Sequence, residues 1–263
     1  MKRSVSERKQ KERLLILIEL KHLTKVFGDR VAVNDLSIKL PNGAVYGLLG
    51  PHGAGASTLL ALLAGAVPPS EGDAKINGFS VVSSPKKAKA RIGYLPEDCE
   101  LYGTLTPQEI LSFVAEVREP SPERGQRQVL DALEQLELEE VKNRPLQRLS
   151  LAQRRRVGIA QTLIGNTEIL LLDAPFQGLA PKEIALLSER IRELASTRTV
   201  ILSSHRAAEL EGLCDRVLFL SDGCFKESAP EEEPSPSPYA VSSDEPEYDG
   251  EYELIDTETK GDL

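Results

Sequence analysis

Residues 50–58 read Gly-Pro-His-Gly-Ala-Gly-Ala-Ser-Thr, with glycines at 50, 53 and 55 and two hydroxyls at the end. Glycines at that spacing let successive backbone N–H groups close around an anion, and a helix starting at the hydroxyls aims its positive end at it. The chemistry suggested is phosphate binding. Gly50, Pro51, His52, Gly53, Ala54, Gly55, Ala56, Ser57 and Thr58 would form the cradle, and Ser57 would be a magnesium ligand. One residue is out of pattern. The position before the hydroxyl normally carries a lysine that reaches the phosphates, and here it is Ala56. Alone the loop is a weak signal, since a glycine-rich turn needs no ligand to exist.

Such a loop works only where a strand delivers it and a helix carries the chain away. Ala44–Leu49 is a short apolar run suited to a strand, and Ser57–Val67 is a helical run ended by Pro68-Pro69. The alternation continues along the chain. Leu15–Phe27 and Ala32–Leu40 are β-rich, Pro41-Asn42-Gly43 turns toward Ala44, Ala74–Val82 is a strand–turn unit and Arg91–Leu95 a buried strand. Thr106-Pro107-Gln108-Glu109 is a capping box opening a helix, and Gln126–Leu138 and Ser150–Ile164 are two more helices. Glu168–Asp173, with Ile-Leu-Leu-Leu before the Asp, is the continuous apolar run of a strand covered on both faces. A helix at Pro181–Leu194, a strand at Thr199–Ser203, a helix at Arg206–Leu213 and a strand at Arg216–Ser221 follow. Strand–helix alternation of this kind predicts an α/β fold with a largely parallel sheet and a helical insertion near 98–165.

With these motifs in order, the chain from about Ile18 to Lys226 resembles the ATP-binding subunit of an ATP-binding-cassette (ABC) transporter. Phe27 falls where that family has an aromatic that stacks on adenine. Ile92-Gly93-Tyr94-Leu95-Pro96-Glu97 resembles the strand leading to the Q-loop, with Glu97 at the position of Gln. Leu149-Ser150-Leu151-Ala152-Gln153 matches the signature motif, and Leu170-Leu171-Leu172-Asp173 the Walker B strand. Pro175–Pro181 corresponds to the D-loop, and Ser203-Ser204-His205 to the switch histidine. The resemblance implies a P-loop NTPase fold with a mostly parallel core sheet, an antiparallel β subdomain and a helical subdomain. It implies ATP and Mg²⁺ as ligands, with Ser57, Glu97 and Asp173 near the metal and His205 at the γ-phosphate. The run Gly93–Glu97 is most similar to single-domain cassettes of multidrug or gliding-type exporters.

The departures bear on activity. Ala56 replaces the phosphate-binding Lys, Ala174 stands where the family has the Glu that polarises water, and Ala180 replaces the D-loop Asp. Leu151 and Ala152 replace the signature glycines, Ala152 more gravely because backbone should approach phosphate there. His52 sits where Asn is usual, as a partial stand-in for the lysine or as a plain turn residue. The expectation is weakened Mg-ATP binding and impaired hydrolysis. Cassettes of this family pair head to tail, so a second ABC subunit is expected, and an active paralogue is favoured over self-pairing. The open alternatives are an ATPase compensated in the assembled dimer and a free-standing regulatory or structural cassette.

Composition narrows the surroundings. Residues 228–263 hold 12 of the 41 acidic residues and one of the 32 basic ones, so this tail carries −11 of a net charge of −9 and residues 1–227 about +2. Prolines among Glu, Asp and Ser make the tail a segment expected to be disordered, either solubilising or a docking strand with Tyr239, Tyr248 and Tyr252 as anchors. Residues 1–13 read as a frayed basic segment, leaving 14–227 as the ATP-binding domain. Leu40–Ser70 lacks any charged residue, yet its six glycines and four prolines exclude a lipid-exposed helix. Cys99, Cys214 and Cys224 have no disulfide or metal spacing and are read as buried apolar residues in a reducing compartment. Arg154-Arg155-Arg156 are read as a solvated helix face. No basic stripe with interleaved aromatics suggests nucleic acid. The resemblance places the chain in the cytoplasm, at the inner face of the membrane through a transmembrane permease subunit.

Overall fold

The computed structural model describes residues 16–98 and 103–226. The expectations for segment 1–13, for Cys99 and for the acidic tail lie outside them. Two sheets carry the fold. The first is antiparallel and four-stranded, in the order β2 (Arg30–Pro41), β1 (Ile16–Phe27), β4 (Glu71–Ile76), β5 (Phe79–Ser80). The second has six strands: β10 (Cys224–Lys226), β9 (Arg216–Ser221), β3 (Val45–Leu49), β8 (Thr199–Ser204), β7 (Ile169–Leu172), β6 (Ile92–Leu95). All its pairs are parallel except β9–β10. Pro41-Asn42-Gly43 therefore carries the chain from one sheet to the other.

The parallel strands are apolar throughout because both faces are covered. Along β7 the side chains alternate between two cores, as the pleat requires. Ile169 and Leu171 join a core with the antiparallel sheet and helix α1 (Ala56–Leu63). Leu170 and Leu172 join the other, built with α3 (Pro107–Arg118), α4 (Pro122–Gln135), α5 (Leu151–Leu163) and α6 (Pro181–Ala195). Two single-turn helices, α2 (Pro85–Lys89) and α7 (Ala207–Leu210), complete the described helices apart from two 3₁₀ turns.

N-cap side chains set the starts of α3, α4 and α5. Thr106 and Glu109 form the expected reciprocal box on α3, and Ser150 and Gln153 form one on α5. Helix α4 starts at Pro122, earlier than its apolar periodicity indicates, because the Ser121 side chain caps Arg124 N–H. Helix α1 ends at Leu63 rather than running to the proline pair. Gly65, at φ +64°, donates to Leu62 O while Ala66 N–H reaches back to Ala61 O, the paired bonds of a Schellman stop. The helix expected over Arg206–Leu213 shrinks to α7, because the Glu211 backbone leaves the helical region.

The arginine triplet is not a solvated face. Arg154 donates to Leu149 O at 2.6 Å, Arg155 to Glu97 O at 3.1 Å and Arg156 to Leu136 O at 3.3 Å. Loop and helix-end carbonyls lacking other donors draw these guanidinium groups inward. Cys214 and Cys224 are half-buried rather than buried. Burial pushes the Cys214 thiol up to about 12, with Asp215 adding to the effect, so it stays an unreactive thiol.

Leu171 is fully buried on β7, between β8 and β6, and Thr106 is a surface cap. Leu171→Ala should cost about 2–5 kcal/mol, and Thr106→Ala about 1 kcal/mol. Urea unfolding of both variants measures the ranking, which the reverse order would contradict.

Candidate functional site

Four strand ends and one hairpin meet at the carboxyl edge of the six-stranded sheet. Parallel register is the reason: β3, β6, β7 and β8 all run one way, so the residues following them emerge together. After β3 comes the loop from Gly50, after β7 Asp173 and Ala174, after β8 His205, and after β6 Pro96 and Glu97. Between them lies a cleft of about 360 Å³ lined by Phe27, every residue from Gly50 to Thr58, Glu97, Asp173, Ala174 and His205. The residues singled out in the sequence for one nucleotide site thus line one cleft. Ser150, Leu151, Ala152 and Gln153 do not line it. Leu151 instead rests against the Gly178 turn, where an added Cβ would meet its Cδ2 at 2.9 Å. Ala180, at the N-terminus of α6, is likewise outside the cleft, its N–H donating to Glu183 at 3.0 Å.

The loop is shaped by its surroundings as much as by its own residues. Gly55 has φ +106°, and a Cβ there would lie 2.3 Å from Ala32 O, so no side chain fits. Gly223, in the β9–β10 turn, donates to Ala54 O at 3.0 Å and accepts from Asn34 N–H at 2.9 Å. That turn ties the loop to β2 of the other sheet. Ala54 N–H donates to Pro51 O at 3.0 Å, and Arg30 donates to Gly53 O at 3.0 Å.

Asp173 is the most constrained group. Its side chain is almost fully buried and its Oδ1 accepts from Ser203 Oγ at 2.6 Å and from Ser57 Oγ at 3.1 Å. Ser203 Oγ in turn accepts from Ala174 N–H at 2.8 Å, and Ala174 holds a left-handed φ of +44°. Burial raises the Asp173 carboxyl above the ordinary carboxylate range. The two serine hydrogen bonds oppose that shift, and the Glu97 charge adds to it. Burial also pushes the neighbouring Tyr94 hydroxyl up to about 12, with Asp173 contributing. No cation touches Asp173 among the described residues. A buried carboxylate beside a serine hydroxyl, facing an open cleft, is an oxygen donor set suited to Mg²⁺, which takes one or two protein ligands plus phosphate and water. No larger group of His, Cys, Asp or Glu able to hold a metal exists among the described residues.

His205 stacks on His52, ring centroids 4.4 Å apart at 34°. Behind it, Ser204 Oγ donates to the buried Glu209 at 2.6 Å and accepts from Arg206 N–H at 2.9 Å, fixing the end of β8. Phe27 is half-exposed, and Lys25 sits 4.9 Å from its ring while donating to Pro68 O at 2.8 Å. Lys25 does not line the cleft, so it braces the ring from outside, by a cation–π contact. Arg30, Ala32, Ser203 and Ser204 also line the cleft, and no sequence signal had assigned Arg30 or Ala32 to it. The Ser-Ser-His run was a usable signal for the two serines.

The family profile described as ABC transporter matches residues 33–177, more than half of the chain. The chain belongs to the ABC transporter family. Its relatives include the linearmycin resistance ATP-binding protein LnrL of Bacillus subtilis, 31% identical over 79% of this chain and 67% of its own length. Another is the Nod factor export ATP-binding protein I of Bradyrhizobium diazoefficiens, 36% identical over 79% of this chain and 68% of its own. Among solved structures, an ATP-binding subunit of an ABC transporter superposes with a TM-score of 0.70 at 28% identity, covering 80% of this chain and 88% of that one. The cassette cbiO1 of Clostridium perfringens gives 0.72 at 25% identity, covering 80% and 87%. This chain is an ATP-binding subunit with the ABC cassette fold, and no helix among its described residues is long and apolar enough to cross a membrane.

Because burial raises the Asp173 pKa above its unfolded value, the ionised carboxylate opposes folding near neutral pH. That opposition vanishes below the ordinary carboxylate pKa, where both states are protonated. Asp173→Asn should therefore raise the Tm of the nucleotide-free cassette at about pH 7, with the gain shrinking toward about pH 4. Thermal unfolding across that range measures it, and a gain independent of pH would rule out charge as the cause.

Proposed function

We propose that this chain is a cassette that holds Mg-ATP weakly, hydrolyses it poorly, and works beside an active partner. The observation carrying the reading is that Ala56 and Ala174 both line the cleft, at the positions where a phosphate cation and a water-activating carboxylate would act. Phe27 offers the adenine platform, Gly53–Thr58 the phosphate cradle, and Ser57 with Asp173 the oxygens for Mg²⁺, whose role when bound is to neutralise phosphate charge. His205 faces the γ-phosphate end.

Magnitudes separate binding from turnover. A charge-assisted hydrogen bond contributes about 1.5–3 kcal/mol, so losing the lysine weakens ATP by roughly ten- to a hundredfold. Absence of a positioned base costs about 10²–10⁴ in rate. Backbone donors and the helix N-terminus of α1 survive, and they keep binding measurable.

In a head-to-tail pair, Ser150–Gln153 would face the partner's nucleotide. Ser150 and Gln153 satisfy each other's backbone through the capping box, which leaves the end of α5 presented as a helix N-terminus. An intact partner cassette would bring a full catalytic set to that face, whereas a second copy would bring the same two alanines. This favours a heterodimer. Relatives named for export and resistance support an exporter, with the cassette docked on a transmembrane permease at the cytoplasmic face. The acidic tail is read as a solubilising extension.

Calorimetry with Mg-ATP should give weak binding that Ala56→Lys tightens by about tenfold or more. ATPase assays of the isolated chain should show turnover far below that of an intact cassette, with Ala56→Lys and Ala174→Glu together restoring part of it. Turnover by the unmodified chain at an intact cassette's rate would overturn the reading and shift the base role to Glu97, the other carboxylate in the cleft.

A further inference from the structure

Within the cleft the charges are unequal in kind. Glu97 and Asp173 are its carboxyl groups, and among the described residues Arg30 is the one Lys or Arg in the lining. Arg30 opens β2 directly across the hairpin from Phe27, the pair being in register. Its guanidinium donates to Gly53 O at 3.0 Å, in the middle of the loop that lacks its lysine. Among the described residues it has no carboxylate partner. One hydrogen bond to protein engages a group with five N–H donors, and the exposed side chain lines the open cleft. The hydrogen bond also fixes the side chain beside the loop backbone, so little further ordering is needed to meet an anion there.

We propose that Arg30 is the phosphate-binding cation of this cassette, donating to the α- and β-phosphates of a nucleoside di- or triphosphate in place of the absent lysine. An adenine on Phe27 with its phosphates over Gly53–Ser57 must pass the guanidinium, which bridges those two features. The position differs from that of a lysine at residue 56. Arg30 belongs to the hairpin that carries Phe27, whereas Asp173 and His205 follow β7 and β8 of the other sheet. It therefore holds the nucleotide without reaching the γ-phosphate end, where charge develops during hydrolysis, and ADP and ATP gain equally from it. This assignment rests on the nucleotide-binding reading above and adds the residue that makes binding workable.

The test is calorimetry of the full chain with ATP, ADP and adenosine, on the unmodified protein, Arg30→Gln, Arg30→Lys and Arg30→Gln with Ala56→Lys. Arg30→Gln should weaken ATP and ADP alike by about tenfold and leave adenosine unchanged. Arg30→Lys should keep most of the affinity, and adding Ala56→Lys to Arg30→Gln should restore it. An unchanged ATP affinity in Arg30→Gln would overturn the assignment alone. So would an equal loss for adenosine, which would mean that Arg30 only supports the Phe27 hairpin, or a loss in Arg30→Lys as large as in Arg30→Gln. No ATP binding by the unmodified chain, with Ala56→Lys also silent, would overturn the nucleotide reading itself and this assignment with it.

Discussion

The cassette is organised around one buried carboxylate. Asp173 lies at the end of β7, and the hydroxyls that hold it come from the start of α1 and the end of β8. Three segments far apart in sequence thus share one acceptor. A buried anion held by hydroxyl and backbone dipoles, with no cation beside it among the described residues, is poorly compensated, because each offers a dipole where a charge is wanted. The protein keeps this group at a cost to its nucleotide-free stability, and parallel register makes it possible by bringing the strand ends to one edge. Everything in the cleft is placed relative to that point.

Around it the cleft depends on backbone rather than on side-chain charge. Gly55 is forced by the Ala32 carbonyl, the loop leans on neighbouring strands, and the N-terminus of α1 provides an oriented dipole. Backbone donors are permanent in a way that a lysine side chain is not. A loop held in this way keeps its shape with alanine at residue 56. Ala56 and Ala174 both line this cleft, so neither position adds a side-chain charge to it. The His52 ring of the same loop packs against the His205 ring.

The strands and the cleft were largely legible in the sequence, for a definite reason. β7 is apolar at every position and ends on Asp173, and β3 is followed at once by glycines, so composition and position carry the same message. Helix limits were less legible. Gly65 stops α1 before the prolines, and Ser121 extends α4 backwards, because short local hydrogen bonds overrule apolar periodicity. Arg30 was invisible, since nothing local marks a residue that reaches the cleft only through a long-range contact with Gly53. The arginines at 154–156 misled for a related reason. Their charge suggests solvent, while their donors are taken up by carbonyls from other elements.

The Gly223 turn carries a consequence for how the molecule is made. The loop at Ala54 is braced by a residue near the end of the described body, which in turn is bonded to Asn34. Contacts between residues so distant in sequence form late, after the intervening chain is ordered. During synthesis, at about 5–20 residues per second, the N-terminal strands and the glycine loop emerge well before this brace exists. A nascent chain stopped before Gly223 would contain the phosphate loop, Asp173 and His205, and still lack the clasp that shapes the cradle. The nucleotide site is thus finished only when the body is finished.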